Sequence, residues 1–280
     1  MKLVCPILEV VTEVEPTEYS RDQWLVVRCR TTGLVFLANP PSYEQLAEQF
    51  AWEKSWQVES RRRRADEPLV SRLSSVAKRL KMTLLPRRNK MLSLICQTVA
   101  TQPAERQIRF IDIGCGCGTL MQKVQERLQS KGHEAVPMGI EVSKQLASIA
   151  QAKVAQFGGK VLVQGSVDGV MQLEADSIDL VIMSSFLEHE FQPMRLFREL
   201  RRVLHFDGSI VLKVPNFASW NRIVRGRKWS GFRHPDHVSY FTPQTLTTLA
   251  EAEKFTISRQ GLRERFPLND NMYAVLKKAA

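Results

Sequence analysis

The chain has 280 residues, 44% hydrophobic and 25% charged, which is the composition of a globular protein with one sizeable domain and an appendage. Its most apolar stretch, Ile178 to Leu187, is interrupted by Asp179, Ser184 and Ser185 and falls short of the roughly 20 residues a spanning helix needs, so no membrane insertion is expected. The net charge of +11 is divided unevenly, with +5 in residues 1–90, zero in 91–215 and +6 in 216–280. Any attraction for phosphates, anionic headgroups or acidic substrates therefore belongs to the flanks, where Arg61–Arg64 and the set Arg222, Arg225, Arg227, Lys228 and Arg233 stand out.

The N-terminus runs into Glu9, Glu13, Glu15 and Glu18 instead of an apolar core with a cleavage site, which predicts a cytoplasmic protein. Five cysteines (Cys5, Cys29, Cys96, Cys115 and Cys117) are an odd number spread over a mid-sized chain and predict free thiols.

Short strand-like runs at Trp24–Cys29 and Leu34–Leu37 end at Asn39-Pro40-Pro41, and a helix pattern extends from Ser42 to about Trp56. Leu69, Leu73, Val76 and Leu80, then Met91, Leu94, Ile95 and Val99, have helical spacing interrupted at Pro86, which predicts two helices. From Ile108 the pattern alternates. Strands are expected at about 108–113, 136–142, 160–164, 178–184, 209–214, 255–260 and 272–277, and helices at 118–130, 143–157, 191–204 and 242–253. Such alternation predicts an α/β fold with a doubly wound, mainly parallel seven-stranded sheet. The last two strands, lacking a long helix between them, predict an antiparallel C-terminal edge hairpin.

The strongest chemical signal is Phe110-Ile111-Asp112-Ile113-Gly114-Cys115-Gly116-Cys117-Gly118-Thr119, a hydrophobic strand entering three alternating glycines and then a helix. Open α/β sheets bind ligands at this carboxyl end of the first strand, and glycines let a ligand lie against the backbone. The third glycine arrives one residue too early for a dinucleotide fingerprint. Asp112, two residues before the first glycine, would repel a pyrophosphate, whereas it suits a cationic ligand. Glu141, at the end of the second strand, is placed to accept ribose hydroxyls. Together they fit S-adenosyl-L-methionine.

On these residues the sequence resembles the class I S-adenosylmethionine-dependent methyltransferases over roughly residues 90–280. The likeness includes Gln164-Gly165-Ser166-Val167-Asp168, Ser177-Ile178-Asp179-Leu180-Val181 followed by Phe186-Leu187-Glu188-His189, and Glu199 to Ser209, where His205, Phe206 and Asp207 depart from the usual turn. It implies a Rossmann-like fold with cofactor contacts from Asp112, Gly114, Gly116, Gly118, Glu141, Ser166, Val167 and Ser184. Val214-Pro215-Asn216-Phe217, Trp229 and His234 to Pro243 resemble the insertion of ubiquinone-pathway-like methyltransferases with an N-terminal zinc ribbon. That likeness implies a substrate lid at about 216–243, mobile when empty.

The ribbon is degenerate. Cys5 and Cys29 keep the first cysteine of each pair, Leu8 and Thr32 replace the second, and Gly33-Leu34-Val35-Phe36 and Asn39-Pro40 persist. Structural zinc needs four ligands, so a ribbon without metal is expected. The expected domains are a degenerate zinc-ribbon-like region at 1–60, a basic helical linker with lead-in helices at 61–106, and the methyltransferase domain at 107–280.

For chemistry, His189 follows the fourth strand as a candidate base, and His237 in the lid is a second. Ser185 stands where some relatives place a metal-binding glutamate, and Pro235 breaks the His234/His237 spacing, so no metal site is expected. The expected acceptor is small or medium-sized and anionic. An RNA methyltransferase using the basic flanks ranks second, and a non-catalytic partner subunit is the alternative outside enzymes.

Overall fold

A computed structural model describes residues 1–41, 89–100, 106–266 and 269–279. The helix expected after Ser42, the first of the two expected between 66 and 100, and the Arg61–Arg64 run lie outside the described residues.

The larger sheet is built from β5 (Ile108–Ile113), β6 (Ala135–Ile140), β7 (Lys160–Leu162), β8 (Ile178–Ser184), β9 (Leu204–Pro215), β11 (Phe255–Arg259) and β12 (Asn271–Lys278), in the order β11-β12-β9-β8-β5-β6-β7. Pairing is parallel from β7 through β9 and antiparallel at β9/β12 and β12/β11, as the alternation predicted. β5 and β8 are almost continuously buried because helices cover both faces of a parallel sheet. Two buried layers form. One places Ile108, Phe110 and Leu180 against Met91, Ile95 and Val124; the other places Ile111, Val181 and Ile210 against Leu196, Phe197 and Leu246.

The helices are α1 (Lys90–Val99), α2 (Thr119–Gln129), α3 (Lys144–Val154), α4 (Ser166–Met171), α5 (Pro193–Val203), α6 (Trp220–Arg225) and α7 (Pro243–Ala252). Local chemistry starts them. Asn89 and Ser143 accept from backbone amides at the heads of α1 and α3, Thr242 and Thr245 form a reciprocal capping box for α7, and Pro193 opens α5. The short helices α4 and α6 are not apparent in the sequence, since six residues carry too little periodicity. β9 also begins five residues earlier than expected. His205, Phe206 and Asp207 lie within the strand instead of a turn, and a register shift falls between Ile178 and Leu180. Arg106 holds this edge through Asp179 and Asp207.

β1 (Lys2–Val4), β2 (Val11–Pro16), β3 (Val26–Cys29) and β4 (Val35–Leu37) form an antiparallel meander, to which β10 (Ser239–Tyr240), a strand of the expected lid, adds by pairing with β4. Tyr19, Val26, Val35 and Leu37 pack with Phe217, Trp229, Phe232, Val238 and Tyr240. Cys5, Ile7, Val14 and Leu34 join the main core beside Phe197 and Phe241. The meander and the larger domain thus share cores. Strand pairing and aromatic packing also hold the far end of the segment expected as a lid.

Cys5 and Cys29 are fully buried, with the Thr32 hydroxyl 3.5 Å from the Cys5 thiol and the Thr12 hydroxyl 3.4 Å from the Cys29 thiol. Burial raises the Cys5 pKa. At Cys29 burial is outweighed by the Thr12, Thr32 and Cys5 partners, which bring it down to about 7.

Two measurements test this architecture. Phe232 stacks on Tyr19 at 4.7 Å across the junction, so Phe232→Ala should cost about 3–5 kcal/mol in urea denaturation; an unchanged midpoint would show that lid and meander are uncoupled. Elemental analysis should give the same zinc content for wild type and the Cys5→Ser/Cys29→Ser double variant. Loss of one equivalent in the variant would restore the metal ribbon.

Candidate active site

At the carboxyl end of the parallel strands, the chain leaves β5 through Gly114, Gly116 and Gly118, with φ of 68°, 53° and 72°. Each glycine answers a different demand. A Cβ on Gly114 would lie 2.5 Å from the Phe186 ring, and one on Gly118 would lie 3.0 Å from Ala150, whereas space above Gly116 is open within 4 Å. Gly114 and Gly118 thus serve close packing, and Gly116 presents bare backbone to a ligand.

The Glu141 carboxylate holds this loop in place. One oxygen accepts from the Gly116 amide and the other from the Ser143 amide, both at 2.9 Å. Each oxygen retains a further lone pair, so the clamp is compatible with the predicted acceptance of hydroxyls. Asp112 is 2% exposed and, among the described residues, receives no donor. Burial, reinforced by the neighbouring Glu141 charge, pushes its pKa up to about 8. Such a carboxylate calls for a cation, and an anionic pyrophosphate would aggravate its burial. The pair therefore fits S-adenosylmethionine through its positive charges and its ribose.

Ser166 begins α4, and its hydroxyl donates to Glu190, whose other oxygen accepts from the Gln192 amide at 2.8 Å. The expected polar contact at Ser166 is therefore already committed within the protein, and Val167 is buried in the main core. Ser184 ends β8 opposite Lys213 of β9. Ser185, the next residue, has φ 58°, a conformation sparsely populated for non-glycine residues; this turn carries Phe186 over Gly114.

Glu188, His189 and His237 meet beneath the lid, with one potential ligand atom from each within 4.8 Å of the others. The imidazoles stand edge to face at 4.7 Å. His189 Nδ1 lies 2.9 Å from the Asp236 carbonyl and His237 Nδ1 lies 2.8 Å from the Gly231 carbonyl. A carbonyl only accepts, so both Nδ1 atoms carry hydrogen, and in the neutral rings both Nε2 atoms are left as acceptors. Burial lowers the His189 pKa to about 4 and holds His237 well below its ordinary value. Glu188 is 1% exposed, its Oε2 has no hydrogen-bond partner among the described residues, and burial raises its pKa to about 7 despite Lys213 and Arg233. This set has the donor chemistry to take a divalent cation, a juxtaposition the sequence concealed because His237 lies 48 residues beyond His189.

Lys213 is a cation that the sequence pattern did not single out, and Arg233 was picked out there only as one member of a basic run. Lys213 is desolvated beside Glu188, and the Arg233 charge acts on Glu188, both histidines and Lys213. Arg227, by contrast, is exposed and donates to the Ser20 carbonyl, and the Arg222 guanidinium lies over Phe217. A further cleft, lined by Arg198, Arg201, Arg202, Lys278 and Asp176, lies near the amino end of β8.

Parallel strands, a glycine loop with buried acids at their carboxyl ends, and a polar cluster under an insertion together define a nucleoside-binding transferase fold. A methyltransferase-domain family model matches residues 83–260, and the chain belongs to that family. It carries a methyltransferase domain on the Rossmann-like fold of solved S-adenosylmethionine-dependent methyltransferases. Its relatives include a malonyl-(acyl-carrier protein) O-methyltransferase from a Marinomonas species, 25% identical over 51% of this chain and 50% of the relative. A ubiquinone biosynthesis O-methyltransferase from Coxiella burnetii is 22% identical over 51% of this chain and 61% of the relative. The chain thus spans about half to three-fifths of the length of these curated relatives. Among solved structures it resembles a proposed S-adenosylmethionine-dependent methyltransferase from Listeria monocytogenes, with TM-score 0.51 and 15% identity over 66% of this chain and 97% of that one. In the described residues no helix is long and apolar enough to cross a membrane.

Because the Asp112 pKa is raised, the carboxyl stabilises the ligand-free fold fully below pH 4, and that contribution is lost as pH rises through about 8. A bound cation favours the ionised form. S-adenosylmethionine binding below pH 8 should therefore release a proton, and affinity should rise toward pH 8 and then level off. Calorimetry in buffers of different ionisation heat checks this. Proton release that persists unchanged in Asp112→Asn would refute the assignment.

Proposed function

We propose that the chain transfers the methyl group of S-adenosylmethionine to an oxygen of a small or medium-sized anionic acceptor held beneath residues 229–241. The observation that carries this reading is the asymmetry of the site. Two carboxyl groups, Asp112 and Glu141, gather at the glycine loop, whereas two cations, Lys213 and Arg233, reach the cluster beside His189. Opposite charge preferences at adjoining ends suit a cationic donor and an anionic acceptor. Both curated relatives are O-methyltransferases by name, in keeping with an oxygen nucleophile.

When bound, the cofactor supplies an electrophilic methyl on a sulfonium, so the protein's task is mainly alignment and charge management. Asp112, Glu141 and the Gly116 backbone hold the donor side. Lys213 and Arg233 orient the acceptor and favour its anionic form. His189, neutral above pH 5 with Nδ1 fixed on the Asp236 carbonyl, offers Nε2 to any proton the acceptor still carries. A base with so low a pKa suits only an acidic hydroxyl, and a carboxylate acceptor would need no base. His237 packs against the His189 ring and limits its rotation.

The test is release of S-adenosylhomocysteine across a panel of carboxylate, phenolic and neutral alcohol acceptors. Activity should favour the anionic members. Arg233→Gln should raise the acceptor KM by roughly ten- to hundredfold, the effect of losing one charge-assisted hydrogen bond, while cofactor affinity stays within about twofold. With a phenolic acceptor, His189→Ala should lower kcat by about a hundredfold or more. Turnover confined to neutral acceptors, or an Arg233→Gln enzyme with wild-type KM, would overturn the reading.

A further inference from the structure

The two cysteines of the meander take no part in the methyl transfer, yet the fold brings them together from different turns of the chain. Cys5 opens the turn between β1 and β2, and Cys29 ends β3. Both side chains are fully buried, and each thiol has the other among its hydrogen-bonding neighbours. The turns that carry them close in the same way. The Leu8 and Glu9 amides donate to the Cys5 carbonyl at 3.1 and 2.9 Å, and the Gly33 amide donates to the Cys29 carbonyl at 2.8 Å. A backbone amide also reaches each sulfur, that of Ile7 at Cys5 and that of Thr32 at Cys29. Two polarised sulfurs thus lie side by side in a core otherwise lined by Ile7, Val14, Val27 and Leu34.

The surroundings do not complete a metal site. Leu8 and Thr32 stand where a second pair of thiols would, and the side chains bonded to the sulfurs are threonine hydroxyls. Among the described residues the cluster with metal-ligand geometry, Glu188 with His189 and His237, includes neither cysteine. A pair of buried thiolates without a cation would be costly, whereas a disulfide is uncharged and can stay where the thiols are. Two adjacent sulfurs in apolar surroundings are therefore suited to covalent pairing.

We propose that Cys5 and Cys29 form an oxidative modification site, at which a small hydroperoxide converts the pair into a disulfide that ties the turn after β1 to the end of β3. Cys29, with the hydroxyls of Thr12 and Thr32 as neighbours able to donate to a thiolate, is the attacking sulfur. It takes the terminal oxygen of the hydroperoxide, the O–O bond breaks, and the departing alkoxide leaves as an alcohol with the proton the thiol gave up; from hydrogen peroxide it leaves as water. The Cys5 sulfur then displaces the hydroxyl of the resulting sulfenic acid, and its own proton leaves with that hydroxyl as water. Two thiols and a hydroperoxide thus give a disulfide, an alcohol and water. Access requires no global unfolding. β1 has three residues and, among the described residues, pairs only with β2, and the turn after it carries exposed Glu9 and Val10, so local opening at this sheet edge uncovers the pair. The cross-link lies in the sheet whose β4, next to β3, holds β10 of the insertion. The inference rests on the thiols and their neighbours and is independent of the acceptor proposed above.

The experiment treats the full chain with hydrogen peroxide in native buffer, removes the peroxide, blocks the remaining thiols with iodoacetamide in denaturant and maps the peptides by mass spectrometry. The expected product is a Cys5 peptide joined to a Cys29 peptide, lighter by two hydrogens than the reduced pair and separated by dithiothreitol. The oxidised protein should melt roughly 5 °C or more above the reduced one, because the cross-link closes a loop in the unfolded chain. Neither the joined peptide nor the rise should occur in Cys5→Ser or Cys29→Ser, and the wild-type map decides the matter even if these variants fold poorly. Peptides in which Cys5 and Cys29 both stay reduced while Cys117, the least buried cysteine, is oxidised would overturn the proposal. So would joining of either residue to Cys96, Cys115 or Cys117, or a cross-link that forms only when peroxide is added in denaturant.

Discussion

Burial of the Asp112 carboxylate at the end of β5, without a donor and next to Glu141, sets the terms for the rest of the site. Such a group costs several kcal/mol if it stays ionised, and the free protein avoids much of that cost by keeping a proton on it. The sheet cannot relieve the conflict, because Asp112 sits within a strand paired on both sides, opposite Gly139 and Ile182. The adjoining loop is fixed by Glu141, whose two bonds to backbone amides tie the end of β6 to the turn after β5. The result is a rigid recess with an excess of acceptors, ready for a cation that supplies the missing donors.

The polar cluster beneath residues 229–241 follows a different plan. Main-chain carbonyls set the orientation of both imidazoles, and these carbonyls belong to the insertion that β10 fastens to the N-terminal meander. The Val238 amide also donates to the Glu188 carbonyl at 2.9 Å. The small N-terminal sheet thus takes part in positioning the cluster, because its edge at β4 is what the lid pairs with. Cys5 and Cys29 lie in a core shared with α5 and α7, so hydrophobic burial supplies the cohesion of the meander.

Much of this was legible in the sequence for identifiable reasons. β-branched runs separated by amphipathic stretches revealed the strands of the large sheet, and the alternating glycines flanked by Asp112 and Glu141 marked the recess at their carboxyl ends, since both signals are local. The remainder depended on distance along the chain. Pairing of Ser239 and Tyr240 with Phe36 and Val35 leaves no trace in a two-residue strand. The capture of Ser166 by Glu190, and the meeting of His189 with His237, arise only when α4, the turn after β8 and the insertion converge. The inclusion of His205 to Asp207 in β9 was missed because they fall in the register shift between Leu204 and Ser209, an irregularity with no local signal.

The charge division along the chain has a structural counterpart. The neutral central stretch contains the acids of the site, namely Asp112, Glu141, Glu188 and Glu190, and its own Lys213 offsets only part of their charge locally. The basic C-terminal flank supplies Arg233 to the same cluster, so the flank compensates a charge imbalance that the central fold creates. Most of its remaining cations are directed elsewhere. Arg222 is consumed in holding α6 against Phe217 and Tyr19, and Arg227 reaches out to Ser20. The segment's charge is therefore used inward, where Arg233 offsets buried acids, and in fastening the insertion, where Arg222 and Arg227 reach the N-terminal meander. A stretch without acids from 208 to 235 suits this arrangement, because an acid placed there would deepen the burial cost within the cluster.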